Sequence, residues 1–501
     1  MQALWAALTI SSDDPQRHAD RLNVAVGSSN SFDLIVLGGG TGGYSAAFRA
    51  GQLGLKVALV EDKPKLGGTC LHIGCIPTKA MLESAELYER IQHGAADLGV
   101  TVEGVRFDYP AVAKRRQQVV DRLAKGLDSL VKKNKVEHIR GRGTLQGGKK
   151  VRVETLDADG KKDGERVLDA TDVILASGSR VKSLPGLEPD GKHIITSDDA
   201  TTGSTLPRSI VVVGGGAVGV EFASFYHDAG VAVTLLEYLP QIVPLEDGEV
   251  AKELERTFRR RGIKIVTAAR FDAGSVTADD SGVCFMVGKE GEEPKELRAE
   301  QMLVATGRAP NSDGVGLEST RAKLDRAFVT VDGRMRTAEP HLYAIGDVIG
   351  GLLLAHVAAH EGIAAVHAIA GAEAETVDYL KMPRATYSRP QIASIGRSEE
   401  ECARDGIAVR TGKFPFQASG KALIRGEHEG FVKVIADAKS DELLGVHMIG
   451  AGVTDLISEA SAAMLLEATA WEVGSAVHPH PSLAEALGEA ALAVDGKSIN
   501  F

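Results

Sequence analysis

The chain has 501 residues, with 57 Lys and Arg against 68 Asp and Glu, for a formal charge of −11. This mild acidity argues against a nucleic-acid-binding chain, while 44 % hydrophobic and 25 % charged residues exclude a disordered one. No apolar run approaches the roughly 18 residues of a membrane span.

At about 150 residues per domain, the length suggests about three domains. Residues 1–10 hold an apolar patch without a leading basic residue or a clear cleavage site, so no signal peptide and a cytoplasmic location are expected. Residues 1–31 turn polar after that patch and show no period, which predicts a mobile tail. Residues 32–37 (FDLIVL) predict a strand, followed by the turn GGGTGG at 38–43, a helix over 44–53 and a second strand over 56–60 that ends at Glu61. The same unit recurs: a strand at 209–213, GGGAVG at 214–219, a helix over 220–229 and a strand at 232–236 ending at Glu237. Between the copies, Val120, Leu123, Leu127, Leu130 and Val131 recur at helical steps, predicting an amphipathic helix over 111–136. Its many basic residues are read as a solvated face. From about residue 381, strands such as GFVKVIAD and ELLGVHMIG mix with an Ala/Glu helix over 454–469, which reads as a separate α+β unit.

A GxGxxG pattern alone is weak in a chain with 57 glycines. Here each copy follows a strand, opens a helix and has an acid about 20 residues on, which is the layout of a dinucleotide site. The first glycine permits the tight turn, the second lets backbone approach a pyrophosphate, and the third lets helix pack on strand. The phosphates meet unpaired N–H groups at the positive end of the helix. The acid can accept from a ribose hydroxyl, and Glu237 beside a 2′-phosphate would repel it, which favours NAD over NADP. Two such sites imply two dinucleotides, a tightly held flavin and a diffusible nicotinamide.

Four cysteines are too few for a disulfide-built secreted protein. Two of them, Cys70 and Cys75, lie in GGTCLHIGCIPTK at 67–79. In a straight helix that spacing sets the Cα atoms roughly 8 Å apart or more, and a disulfide needs them within about 7 Å. If they bridge, the segment must bend, and Gly74 supplies the freedom. A metal site would need two further ligands, and no second cysteine pair exists. Structural thiols are the other reading.

The cysteine segment resembles the redox motif of the flavin disulfide reductases, most closely the branch that oxidises dihydrolipoamide. The resemblance runs from Phe32 nearly to the end and rests also on ASGS at 176–179, ATGRAPN at 305–311, YAIGD at 343–347, LAH at 354–356 and HPHPSLAE at 478–485. It implies an α/β fold with two Rossmann-like dinucleotide domains and a C-terminal α+β dimerisation domain. The corresponding division is 1–31 tail, 32–184 with 312–380 for FAD, 185–311 for NAD, and 381–501 for dimerisation. It further implies that Gly38, Gly40, Gly43 and Glu61 hold the adenosine half of FAD. Lys79 would lie by the isoalloxazine, Gly143 and Ser177, Gly178 and Ser179 along the cofactor, Asp347 on the ribityl chain, with Leu354, Ala355 and His356 close by. Gly214, Gly216, Gly219, Glu221, Glu237 and Gly307 would serve NAD. Cys70 and Cys75 would form a redox disulfide, Cys70 exchanging with the dithiol and Cys75 facing the flavin. His480, oriented by Glu485, would be the base for the cysteine pair of the other subunit of a homodimer, while His478 is read as packing or surface. The substrate would be a lipoyl group on a 2-oxoacid dehydrogenase acyltransferase or a glycine-cleavage carrier.

Residue chemistry points the same way, since thiolate is the nucleophile in disulfide exchange and an imidazole can take its proton. His72 stands where such motifs usually carry Asn, and Thr78, Ser177 and Ser482 are mild hydroxyl swaps. Other disulfide, quinone or metal-ion reductases of the same fold are the alternative. The absence of any cysteine after Cys402 disfavours the mercuric-ion and large thioredoxin reductases, which use a C-terminal pair. No metal site is expected.

Overall fold

The computed structural model describes residues 30–372 and 376–501, so the expected tail over 1–31 lies almost wholly outside the described residues. The chain divides into two compact units. One contains the described residues up to His72, Val120–Arg180 and Arg308–Val377; the other contains Ile73–Val119, Val181–Gly307 and Asp378–Phe501.

In the first unit the strand Ser31–Leu37 lies between two parallel neighbours, Val57–Glu61 and Lys162–Leu175. The parallel array continues through Glu137–Leu145 on one side and Leu342–Ala344 on the other. Lys150–Leu156 joins Glu137–Leu145 to Lys162–Leu175 as an antiparallel meander. Leu34, Ile35 and Val36 are completely buried, as a central parallel strand with both faces covered requires. The helix Thr41–Gln52 covers one face together with the long helix Ala355–Ala370. They meet through glycine: a Cβ on Gly362 would fall 2.7 Å from the Gly42 carbonyl oxygen.

The second unit holds a five-stranded parallel sheet in the order Lys264–Val266, Ala232–Leu236, Ser209–Val213, Gln301–Val304, Ile194–Thr196. The helix Ala217–Asp228 packs on it, with Phe222 and Phe225 in its core. A separate antiparallel sheet orders Arg384–Thr386, Gln391–Gly396, Leu443–Gly450, Phe431–Asp437 and Val409–Pro415. The helices Val453–Leu465 and Glu485–Ala493 pack on that sheet over Val434, Val446 and Met448.

The expected strands are found within a residue or two, but both glycine-loop helices begin three residues earlier than the pattern suggested. Gly40 and Gly216 are themselves the caps, and the third glycine of each motif sits in the first turn. The N–H groups of that turn have no partner within the helix, so the usual penalty for glycine there is small. The basic helix spans Tyr109–Lys133 rather than 111–136. Pro110 is tolerated in its first turn, and Lys135, at φ 55°, ends it. Val120 is buried, yet Leu123 and Leu130 are exposed. One basic residue leaves the solvated face: Arg116 is buried and donates to the carbonyls of Thr202 and Gly203, closing the end of the helix Ser197–Thr202. The helix expected over 454–469 stops at Leu465, and a new one, Ala470–Ser475, starts on a Thr469 capping box.

Candidate functional site

Each glycine loop is built by close backbone approach. Gly38 has φ +108°, and a Cβ on it would meet the Ala176 carbonyl oxygen at 2.2 Å; a Cβ on Gly43 would lie 1.8 Å from the Gly38 carbonyl oxygen. The second copy repeats this. Gly214 has φ +109° with the Ala305 carbonyl oxygen at 2.4 Å, and Gly219 has the Gly214 oxygen at 1.8 Å. No side chain caps either helix. In place of a cap, each helix presents unpaired N–H groups at its positive end, the donor set a phosphate needs. The chain therefore fits two dinucleotides, with Gly38, Gly40 and Gly43 suited to hold one and Gly214, Gly216 and Gly219 the other.

The acids ending the second strands do more than await a ribose. Glu61 accepts from the Gly39 N–H at 2.7 Å and the Lys63 N–H at 2.9 Å. Glu237 accepts from the Gly215 N–H at 2.6 Å and the Leu239 N–H at 2.7 Å. Each carboxylate thus fixes the middle of its glycine loop. Burial raises the Glu61 carboxyl to about 7, against the lowering effect of its two backbone donors, with Asp62 adding to the rise.

Further along the first unit, Ser177, Gly178 and Ser179 follow the strand Lys162–Leu175. Ser177 donates through Oγ to the Asn311 carbonyl at 2.7 Å, and Asn311 Nδ2 returns a bond to the Ser177 carbonyl at 3.0 Å. Gly178, at φ +72°, accepts from the Asn311 N–H. The Ser179 hydroxyl bonds the Asp347 carboxylate, which sits in the turn Gly346–Ile349. Arg308 Nε donates to Ser179 Oγ at 2.6 Å and lies 3.7 Å from Asp347. Arg308 and Asn311 lie in the ATGRAPN segment, 305–311. They prove to clamp Ser177, Ser179 and Asp347 together. Gly143 lies on the strand Glu137–Leu145, where a Cβ would press within 2.6 Å of Leu37. Leu354 caps the helix Ala355–Ala370, so Ala355 and His356 open it.

The cysteine segment is not one straight helix. Cys70 lies in the short helix Gly68–His72, and Cys75 opens the helix Cys75–Glu89. Gly74 breaks the path at φ −133° and ψ −116°. Both cysteines are half-buried. The imidazole of His72 is tied back through Nε2 to the Leu66 carbonyl at 2.9 Å. Cys75 occupies the positive end of a helix of 15 residues without a side-chain cap, a setting that favours thiolate.

One turn further on, Lys79 donates to both oxygens of Glu221 at 2.9 and 2.7 Å. Its ammonium stands 4.9 Å from the Tyr387 ring centroid, and the Tyr387 N–H bonds Glu221 at 2.8 Å. Burial would push this lysine down, but Glu221 outweighs it, with a smaller push from Cys75, so its pKa is raised. Lys79 and Glu221, expected at different cofactors, are paired in the structure. Tyr387 carried no sequence signal, because nothing in spacing links it to Lys79 or Glu221. Gly307, at φ +107°, accepts from the Lys182 N–H.

In the C-terminal part, His480 Nδ1 meets Glu485 at 2.8 Å, and the Ser482 N–H bonds the other Glu485 oxygen at 2.8 Å. The Ser482 N–H, then His480, hold the Glu485 carboxyl below its usual range. The His480 side chain is 79 % exposed. Among the described residues no helix is long and apolar enough to cross a membrane.

Comparison with known proteins bears on this arrangement. Residues 32–362 match the family described as pyridine nucleotide-disulphide oxidoreductase, and residues 382–491 match its dimerisation domain. The dihydrolipoyl dehydrogenase of Bacillus subtilis is 49 % identical over 473 residues, covering 94 % of this chain and 99 % of its own. That of Zymomonas mobilis is 45 % identical over 472 residues, covering 94 % and 99 %. Among solved structures, LpdA of Mycobacterium tuberculosis superposes with a TM-score of 0.84 at 28 % identity, covering 91 % of this chain and 98 % of that one.

Proposed function

Since the chain belongs to the pyridine nucleotide-disulphide oxidoreductase family, we propose that it is an NAD-dependent dihydrolipoyl dehydrogenase acting through Cys70, Cys75, His480 and Glu485. The observation that carries this reading is the setting of Cys75. It opens a helix at the break made by Gly74, one turn before a lysine locked by Glu221.

In the proposed cycle Cys70 and Cys75 start as a disulfide. His480 takes a proton from one thiol of the dihydrolipoyl group, and the resulting thiolate attacks Cys70 Sγ. The Cys70–Cys75 bond breaks, a mixed disulfide forms, and the electron pair leaves on Cys75 as thiolate. The Lys79 ammonium and the helix terminus stabilise that charge. The second lipoyl thiol, deprotonated in turn, attacks the lipoyl sulfur bound to Cys70; the cyclic lipoyl disulfide departs and Cys70 is left reduced. Glu485 holds the His480 tautomer and stabilises its protonated form. Bound FAD supplies the two-electron relay from the reduced cysteine pair to NAD⁺. The FAD residues are Gly38, Gly40, Gly43, Glu61, Lys79, Gly143, Ser177, Gly178, Ser179, Asp347, Leu354, Ala355 and His356. The NAD residues are Gly214, Gly216, Gly219, Glu221, Glu237 and Gly307.

The protein assembles as a homodimer through its dimerisation domain. We assign it to the cytoplasm and to the lipoyl domain of a 2-oxoacid dehydrogenase acyltransferase or a glycine-cleavage carrier. The domain division proposed is the one drawn from the sequence. The test is NAD⁺ reduction by dihydrolipoamide: the parent protein turns over, whereas Cys70→Ser and Cys75→Ser do not. A Cys70→Ser enzyme as fast as the parent sinks the reading.

A further inference from the structure

The loop that presents His480 carries a second imidazole–carboxylate pair. His478 Nε2 meets Glu459 at 2.7 Å, and its side chain is only 10 % exposed. Glu459 belongs to the helix Val453–Leu465. The same ring also lies against the helix Glu485–Ala493: a Cβ on Gly488 would fall 2.9 Å from His478 Cε1 and 3.0 Å from Nδ1. His478 therefore sits in a slot between two helices, one giving it a carboxylate and the other, through a glycine, giving it room. The second helix also carries Glu485, the partner of His480.

This matters because His480 projects from a loop just before the helix Glu485–Ala493. Its ring is exposed, and its hydrogen bond is to Glu485. An exposed imidazole on a loop loses its aim unless the backbone under it is fixed. The buried ring two residues earlier fixes that backbone against the helix that supplies Glu485. His478, expected as a packing or surface residue, packs here in a place where packing sets the geometry of a base.

We propose that the Glu459–His478 pair, seated on Gly488, is a positioning device that keeps His480 in line with Glu485. The proposal rests on the reading of His480 as the base. It makes His478 and Glu459 positioning residues, with no contact to substrate.

The experiment uses the full-length holoenzyme and compares Glu459→Gln, His478→Ala and Gly488→Ala with the parent. Steady-state oxidation of dihydrolipoamide is measured across pH, together with NADH-driven reduction of ferricyanide, which needs no base at His480. The variants are expected to lose about 10- to 100-fold in kcat for dihydrolipoamide, with KM little changed and the pH limb of the base displaced. Ferricyanide reduction and flavin content are expected to stay at parent values. Glu459→Asp, which keeps the carboxylate, is expected to recover part of the loss. If Gly488→Ala or His478→Ala yields no folded protein, the milder Glu459→Gln decides alone. A parent active on dihydrolipoamide with Glu459→Gln matching its kcat and pH profile overturns the positioning role. A parent inactive on dihydrolipoamide but active with ferricyanide overturns instead the reading on which it rests.

Discussion

The two glycine loops share one construction and differ in their surroundings. Both bend at a glycine of nearly equal φ, both close on the third glycine at 1.8 Å, and both fix the middle N–H with an acid. Around the first loop the helix is enclosed: Gly42 is buried and touches the long helix Ala355–Ala370 at backbone distance. At the matching place in the second loop stands Val218, exposed to solvent. The first acid is followed by Asp62, which pushes Glu61 further up. The second is followed by Tyr238, over whose ring the Arg270 guanidinium lies 3.8 Å from the centroid, bonded to the Tyr238 carbonyl at 2.8 Å. The same local code thus gives a closed loop and an open one. The difference matches the proposed division between a resident flavin and an exchanging nicotinamide.

The strongest way to break this comparison is to add one methyl group at equivalent points. Gly43→Ala is expected to abolish flavin retention, read from the ratio of visible to ultraviolet absorbance of the purified protein. Gly219→Ala is expected to leave flavin in place and raise KM for NADH by about 100-fold or more, the price of one displaced backbone contact in a phosphate cradle. Equal loss of flavin in both variants would remove the distinction between the loops.

The next largest effect belongs to the ion pair joining the second loop helix to the cysteine helix. Glu221→Gln leaves Lys79 without its counter-charge, so burial then pushes the lysine down. A loss of about 1.5–3 kcal/mol of stability is expected, seen as a lower melting temperature. A new ionisation in the pH dependence of turnover, on the alkaline side, should accompany it.

Glu61 gives a smaller and opposite pH signature. Its folded carboxyl titrates near 7, above the ordinary value of about 4.3. Between those points the unfolded chain releases the proton that the folded chain retains, so stability falls as pH rises through the window and levels off above it. Glu61→Gln should flatten the decline in melting temperature across that range, and an unchanged slope would assign the decline to other groups. The mildest change is Arg270→Ala, which removes an exposed cation–π contact of about 0.5–1 kcal/mol. It should alter KM for NADH only a few-fold and leave flavin content alone.

What the sequence showed and what it hid follow from range. The glycine loops, the break at Gly74 and the His480–Glu485 pair are short-range, because each depends on residues within one turn or one βαβ unit. Periodicity located the basic helix but placed Leu123 and Leu130 on its inner face, where the structure exposes both. Neither hydrophobic spacing nor composition shows where a neighbouring layer ends. The clamp of Arg308 on Ser179 and Asp347, and the contact of Tyr387 with Lys79, join segments far apart in the chain. Only the fold brings such partners into range, and a charged residue gives no sign of which distant carboxylate it will meet.

The meeting of Gly42 with Gly362 has a practical consequence for anyone who would transplant these loops. The first is not a portable module: lifted into another scaffold without Ala355–Ala370, it would expose a groove shaped to a helix that is no longer there. A graft would have to move both pieces, separated by some three hundred residues of sequence, as one block.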